Sequence, residues 1–152
     1  MVVQEEYPTK ETDQNVLIDN YIFETGSFSS VSSILFDTIK TSLSSWEIGT
    51  KKSITIHNGT LKLEGFYLKI LAVERYFPDT ERISPTLQIY SIGIPEKYRR
   101  MGLAYKIIDI IEVFATEKRL RIIIGPVIEE AMHLLVEKRG KYRQRTIFDW
   151  FY

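Results

Sequence analysis

Residues 92–111 read IGIPEKYRRMGLAYKIIDII, and this stretch changes character twice within twenty positions. Ile92 and Ile94 close an apolar run. A short segment carrying Lys97, Arg99 and Arg100 follows, and after Gly102 the apolar residues recur at helical spacing. Leu103, Ile107, Ile110, Ile111 and Phe114 fall on one face of a helix about four turns long. A strand, a basic turn and a helix are thus joined at a glycine. The first N–H groups of such a helix lack intrahelical partners, and its dipole puts partial positive charge at the same end. Arg99 and Arg100 add full charges beside it, so a phosphate or pyrophosphate suits the position. Gly102 and Ala104 leave room for an anion to approach the backbone. Basic residues beside a glycine also occur on plain solvated surfaces, and neither GxGxxG nor GxxxxGK[ST] is present.

Outward from this stretch, the chain reads as a mixed α/β domain. Downstream, residues 120–124 (LRIII) suit a buried strand. Residues 129–139 form a helix with Met132, Leu135 and Val136 inward and Gly140 as its stop, and residues 143–152 make one closing strand. Upstream, residues 86–94 form a strand and 78–85 a loop. Residues 60–76 read as a long strand bent near Gly65, and 53–57 as a strand leading into a tight Asn58-Gly59 turn. Val31, Ile34, Leu35, Ile39 and Leu43 mark a helix over residues 29–45. Residues 15–23 (NVLIDNYIF) read as a first strand, preceded by a polar tail over about residues 1–13.

Composition bounds the function. The 152 residues fit one domain, and with no cysteine there is neither a disulfide nor a thiolate metal site. Lysine plus arginine and aspartate plus glutamate number 20 each, a balance that argues against a nonspecific nucleic-acid binder. No apolar run approaches a membrane span, and no secretory signal opens the chain, so a cytoplasmic protein is expected. His57 and His133 have no second ligand at metal spacing, and no metal is expected.

The segment Arg99-Arg100-Met101-Gly102-Leu103-Ala104 resembles the Q/R-x-x-G-x-G/A motif of the GNAT N-acetyltransferase superfamily. Pro95-Glu96-Lys97-Tyr98 resembles that family's approach to the motif, and Glu137-Lys138-Arg139-Gly140 the ending of its fourth helix. The resemblance covers about a third of the chain well. It implies a mostly antiparallel central sheet flanked by helices, with acetyl-CoA as cosubstrate and an amine acceptor, small molecule or protein. Backbone N–H groups of Arg100, Gly102, Ala104 and Tyr105 would then hold the coenzyme pyrophosphate, with Arg99, Met101 and Leu103 completing the motif. Ile92, Gly93 and Ile94 would pair with the pantetheine arm.

The chain departs from the family pattern in two places. Val136 stands where a tyrosine often protonates the leaving thiolate, and Glu129 where an asparagine often stands. Tyr142 and Tyr105 are the nearby phenols that could substitute. Glu64 and Glu74, on the long central strand, are the candidate general bases. The alternative to an acetyltransferase is a degenerate acyl-CoA-binding or protein-interaction module. The acceptor would be set by loops 45–52 and 77–84, and a homodimer is one way to cover the aromatic C-terminal edge.

Overall fold

The computed structural model describes residues 12–59, 65–126, 130–145 and 149–152. Seven strands form one sheet in the order β1-β2-β3-β4-β5-β7-β6. They are β1 (Asp13–Leu17), β2 (Ser53–His57), β3 (Tyr67–Phe77), β4 (Arg82–Gly93), β5 (Arg121–Ile124), β6 (Arg143–Gln144) and β7 (Trp150–Phe151). The helices are α1 (Asn20–Thr25), α2 (Phe28–Ser44), α3 (Leu103–Lys118) and α4 (Glu130–Arg139). β1/β2 and β4/β5 are parallel and the other pairs antiparallel. The expected mixed α/β architecture, a mostly antiparallel sheet flanked by helices, is the one the chain adopts.

Strand alternation sorts the core. Ile54 and Ile56, Leu68 and Ile70, Leu87 and Ile89, and Ile122 and Ile124 join one buried cluster with Val31, Leu35 and Ile39 of α2, Ile107, Ile108 and Ile111 of α3, and Val136 of α4. Phe77, Ile123 and Phe151 form a small second cluster. Ser53 and Thr55, of opposite parity on β2, carry hydroxyls instead. Asp13 accepts from Ser53 Oγ at 2.9 Å and Thr55 Oγ1 at 3.2 Å, fastening the edge strand β1 to the sheet.

Several local readings are corrected. Residues 15–23 are not one strand: β1 ends at Leu17, and Asp19 caps α1 by accepting from the Tyr21 N–H at 2.9 Å. A short apolar run serves either element, and the capping aspartate decides it. β2 and β3 do form a hairpin, but the strand ladder ends at His57–Tyr67 with one more bond from the Asn58 N–H to the Phe66 carbonyl at 3.2 Å, so the connection is longer than a two-residue turn. Residues 60–64, Glu64 among them, lie outside the described residues. Gly65 is required by close approach, since a Cβ there would fall 2.6 Å from Asn58 Oδ1. Asn58 bonds the Phe66 N–H and reaches Asn20 on α1 at 2.7 Å.

β4 begins at Arg82, earlier than the loop expected over 78–85, and includes Pro85 opposite Glu74. The β5 ladder starts only at Thr86, so Pro85 sits where β4 has a single neighbour and a missing N–H is tolerated. On α3 the buried apolar positions are Leu103, Ile107, Ile108, Ile111, Phe114 and Ala115, with Ile110 only half-buried. The single closing strand over 143–152 is instead two short strands, β6 and β7, with β7 pairing β5.

Candidate functional site

The end of β4 differs from the rest of the sheet. β3 accompanies β4 to Gly93, whereas the β5 ladder covers only Thr86–Ile89. A last rung runs from the Gly125 N–H to the Ile89 carbonyl at 3.1 Å, and Pro126 then has no N–H to extend it. Among the described residues, no strand pairs with Tyr90–Gly93 on that side. The register against β3 shifts at the same place: Ile70 faces Ile89, Lys69 faces Ser91, and Tyr90 is the extra residue of a bulge. A bulge beside the end of a neighbouring strand re-aims β4 and leaves its main chain open.

β4 leads directly into the basic turn. Pro95 precedes a 3-10 turn at Glu96–Tyr98, whose buried Tyr98 donates its hydroxyl to the Phe23 carbonyl at 3.0 Å, pinning the turn to α1. Arg99 folds back, its Nε donating to the Ile94 carbonyl at 2.8 Å. Arg100 has φ +64° and Gly102 φ +82°, two left-handed residues either side of Met101. Among the described residues, no side chain caps α3. The first turn closes with the Lys106 N–H on the Gly102 carbonyl at 3.1 Å. The N–H groups of Leu103, Ala104 and Tyr105 therefore leave the helix start without intrahelical partners. A Cβ at Gly102 would meet nothing within 4 Å, so the backbone there faces open space. Leu103 is buried and anchors the helix start, while Arg99, Arg100, Met101 and Tyr105 are exposed.

The sequence-derived candidates separate into groups. Arg99, bonded to the Ile94 carbonyl, joins the Ile92–Ile94 end of β4 to the run from Arg99 to Tyr105. Glu74 is exposed near the other end of β3, seven residues from Tyr67 and its partner Gly93, about 23 Å along the strand. Tyr142 is buried, and its hydroxyl donates to Glu112 Oε2 at 2.7 Å. Burial above all, and then the hydrogen bond to Glu112, hold that phenol far above its ordinary range. Glu112 lies eight residues along α3 from Ala104, about 12 Å. Tyr105 supports the stacked guanidinium of Arg139, centred 4.3 Å from its ring. Val136, at the position of the family tyrosine, is fully buried. Glu129 lies outside the described residues. Loops 45–52 and 77–84 sit at the end of the sheet opposite Gly93, since they precede β2 and join β3 to β4.

A cleft of about 740 Å³ opens between α1, the β2–β3 connection and the turn, lined by Asn20, Phe23, Glu24, Asn58, Glu96 and Arg99 among others. It shares Arg99 with the basic turn but includes neither Gly102 nor the free stretch of β4. No group of three or more acidic, histidine or cysteine side chains suited to a metal occurs among the described residues, and no described helix is long and apolar enough to cross a membrane.

Local spacing does not reveal the charged cluster at the C-terminal end of α4. Glu112, buried on α3, receives Arg139, Lys141 and Tyr142 together. Helical spacing marks Glu112 only as a carboxylate among apolar residues, and no local pattern pairs it with a residue 27 positions away.

No protein-family model and no curated protein matches the chain. Among solved structures, a mutant of the AtaT toxin bound to the C-terminus of the antitoxin AtaR and acetyl-CoA is similar at 8% identity, over 57% of each chain, with a TM-score of 0.45. AtaT complexed with acetyl-methionyl-tRNAfMet gives 10% identity over 62% of this chain and 66% of that one, with a TM-score of 0.44. The chain thus spans less than two thirds of either. A protein of Klebsiella pneumoniae subsp. pneumoniae MGH 78578, designated a candidate acyl-CoA N-acyltransferase, gives 12% identity over 84% and 88%, with a TM-score of 0.42. Likeness at this level assigns no substrate to the chain.

Proposed function

We propose that the chain is a GNAT-type N-acetyltransferase that moves an acetyl group from acetyl-CoA to a primary amine. The observation that carries this reading is the free main chain of Tyr90–Gly93 running straight into the left-handed turn at Gly102. An extended amide-containing arm can complete the strand edge through main-chain hydrogen bonds. A pyrophosphate at its end then meets the uncapped N–H groups of Leu103, Ala104 and Tyr105, with the charges of Arg99 and Arg100 alongside. The open space before Gly102 fits that group.

Transfer needs a neutral amine, a thioester carbonyl held within reach of it, and donors for the developing oxyanion. Much of the rate can come from alignment, so the absence of a tyrosine at Val136 does not preclude it.

A second reading, coenzyme binding without transfer, is favoured by one observation. Val136 is fully buried, and the nearby Tyr142 hydroxyl is committed to Glu112. Thermal unfolding with and without excess acetyl-CoA tests what both share. Ligand at ~100 times its dissociation constant adds about 2.7 kcal/mol, or roughly 5–10 °C. A shift with turnover on an amine panel supports transfer, and a shift with no turnover supports the second reading. No shift at millimolar acetyl-CoA overturns both.

A further inference from the structure

Helices cover one face of the sheet. Phe23, Val31, Ile107 and Val136, from α1 to α4 in turn, join a buried cluster with strand residues of one parity, Leu68, Ile70, Leu87 and Ile89 among them. Lys69, Leu71, Gln88 and Ser91 have the opposite parity and stand on the second face. Phe77, Ile123 and Phe151 form their separate cluster there. Ile89, Ile107, Ile108 and Val136 are each at most 2% exposed and fill the first face. An acceptor therefore approaches an arm on the free edge of β4 from the second face.

Two cations of β3 stand on that face. Lys69 pairs with Ser91, within the stretch of β4 that the β5 ladder leaves free. Arg75 reaches across to β4, where its Nε donates to Gln88 Oε1 at 3.1 Å, while its Nη1 donates to the Glu74 carbonyl at 3.3 Å. Gln88 in turn donates from Nε2 to the Gly125 carbonyl at 2.8 Å, just past the end of β5. The Arg75 guanidinium is thereby held beside the point where the free edge begins. Both residues are half-buried. Among the described residues, however, Arg75 meets only neutral acceptors and Lys69 forms no ion pair. Asp13, on the same face, is taken by the hydroxyls of Ser53 and Thr55. A partly desolvated cation without a counter-charge is unfavourable, and an anionic ligand supplies the charge-assisted bonds it lacks.

We propose that the acceptor is an amine that carries its own anionic group, and that Lys69 and Arg75 receive this carboxylate or phosphate on the second face of the sheet. The inference rests on the acetyltransferase reading and names its substrate class. The arm lies one strand spacing, about 5 Å, beyond β4. The amine and the anion are therefore only a few bonds apart, as in an amino acid or an aminoalkyl phosphate. A phosphate of this kind can belong to a free small molecule or to the end of a nucleic acid, and both present the same group. Arg75 offers a planar fork and Lys69 a mobile point charge, which suits them to fix and to neutralise the anion respectively. Gln88 acts as a positioning residue, because its bond to the Gly125 carbonyl turns its amide oxygen toward Arg75.

The test measures acetylation by the full chain on matched amines. Phosphoethanolamine is set against ethanolamine, β-alanine against its amide, and an RNA oligonucleotide carrying a terminal aminoalkyl phosphate against the corresponding amino alcohol. In at least one pair the anionic member is expected to have kcat/KM ~10-fold or more above its partner. Lys69→Gln and Arg75→Gln should each raise KM for that member by ~10-fold, with its kcat, the partner amine and acetyl-CoA affinity unchanged. Arg75→Lys should recover part of the loss. A preference confined to the oligonucleotide assigns the phosphate to a nucleic acid, and one shown by the small amines assigns it to a free molecule. A wild type that uses both members of every pair equally well, or variants that slow both alike, overturn the proposal and leave transfer in place. Circular dichroism checks folding, and if one glutamine variant does not fold the other carries the same comparison. A wild type that binds acetyl-CoA but acetylates no amine overturns the proposal together with transfer, and failure to bind acetyl-CoA removes the coenzyme site as well.

Discussion

Arg139, the residue before Gly140 at the end of α4, places its guanidinium Nη2 2.6 Å from Glu112 Oε1 on α3. The same nitrogen is 2.6 Å from Asp109 Oδ1, and the Arg139 side chain is only 2% exposed. Its Nη1 also donates to the Tyr105 carbonyl at 3.2 Å. One cation thus holds the end of α4 against the half of α3 that begins at Gly102.

Replacing it should expose that dependence. Arg139→Met leaves Glu112 buried with Lys141 and Tyr142 as its remaining partners, and loss of one member of a buried pair typically costs about 3–5 kcal/mol. Urea unfolding should show a loss of that order. The double variant Arg139→Met/Glu112→Met should lose less than the two single changes summed, because the second change removes the stranded carboxylate. Strict additivity would mean that the two side chains do not act as a pair.

Gly102 separates the fold from the ligand. Its left-handed φ makes a Cβ cost about 1–2 kcal/mol, but the space before it is empty, so Gly102→Leu should fold. The variant should melt a few degrees lower and show no stabilisation by acetyl-CoA. Asparagine tolerates the left-handed region, so Gly102→Asn should recover stability before it recovers binding. Wild-type affinity in the leucine variant would remove the turn from the site.

Tyr142→Phe should act on stability and not on transfer. A hydrogen bond to a charged group contributes about 1.5–3 kcal/mol, and this one is buried. The folded phenol titrates far above the unfolded one, so the protonated form is favoured by folding. That contribution is complete below about pH 10 and declines as the pH rises further and the unfolded phenol ionises. Melting from pH 7 to 11 should therefore bring wild type and variant together at the alkaline end. A large loss of kcat with unchanged stability would return Tyr142 to the catalytic group.

Asp79, in the β3–β4 turn, should account for part of the acid sensitivity. It receives Arg121 Nη1 and Nη2 at 2.8 Å each, and Arg143 at 3.2 Å. Hydrogen bonding from Arg121 holds its carboxyl below the ordinary aspartate range. A depressed folded value means stability present above the unfolded pKa and lost as the pH falls through the folded one. Asp79→Asn should therefore melt below wild type at pH 7, with the difference closing below about pH 4. A difference constant across that range would assign the loss to packing of Arg121, whose guanidinium lies 4.0 Å from the Phe77 ring centre.

What the sequence determined by itself is what short-range physics controls. Helical spacing located α2 and α3 to within a few residues, the alternation over 53–57 marked β2, and the glycine after two arginines marked the turn where the backbone turns left-handed. Each depends on neighbours within one or two turns of chain. Asp19 shows the limit of that reading, since one cap turns residues 20–23 of an expected strand into a helix. Tertiary structure alone decided which groups meet. It carried Glu74 to the far end of β3, spent Tyr142 on Glu112, and tied Gln88 to Gly125 at the end of β5. Those relations depend on strand register and helix docking between segments up to roughly 30 to 40 positions apart. Burial and pairing energies fix them only once the whole sheet has formed, and no local spacing records them.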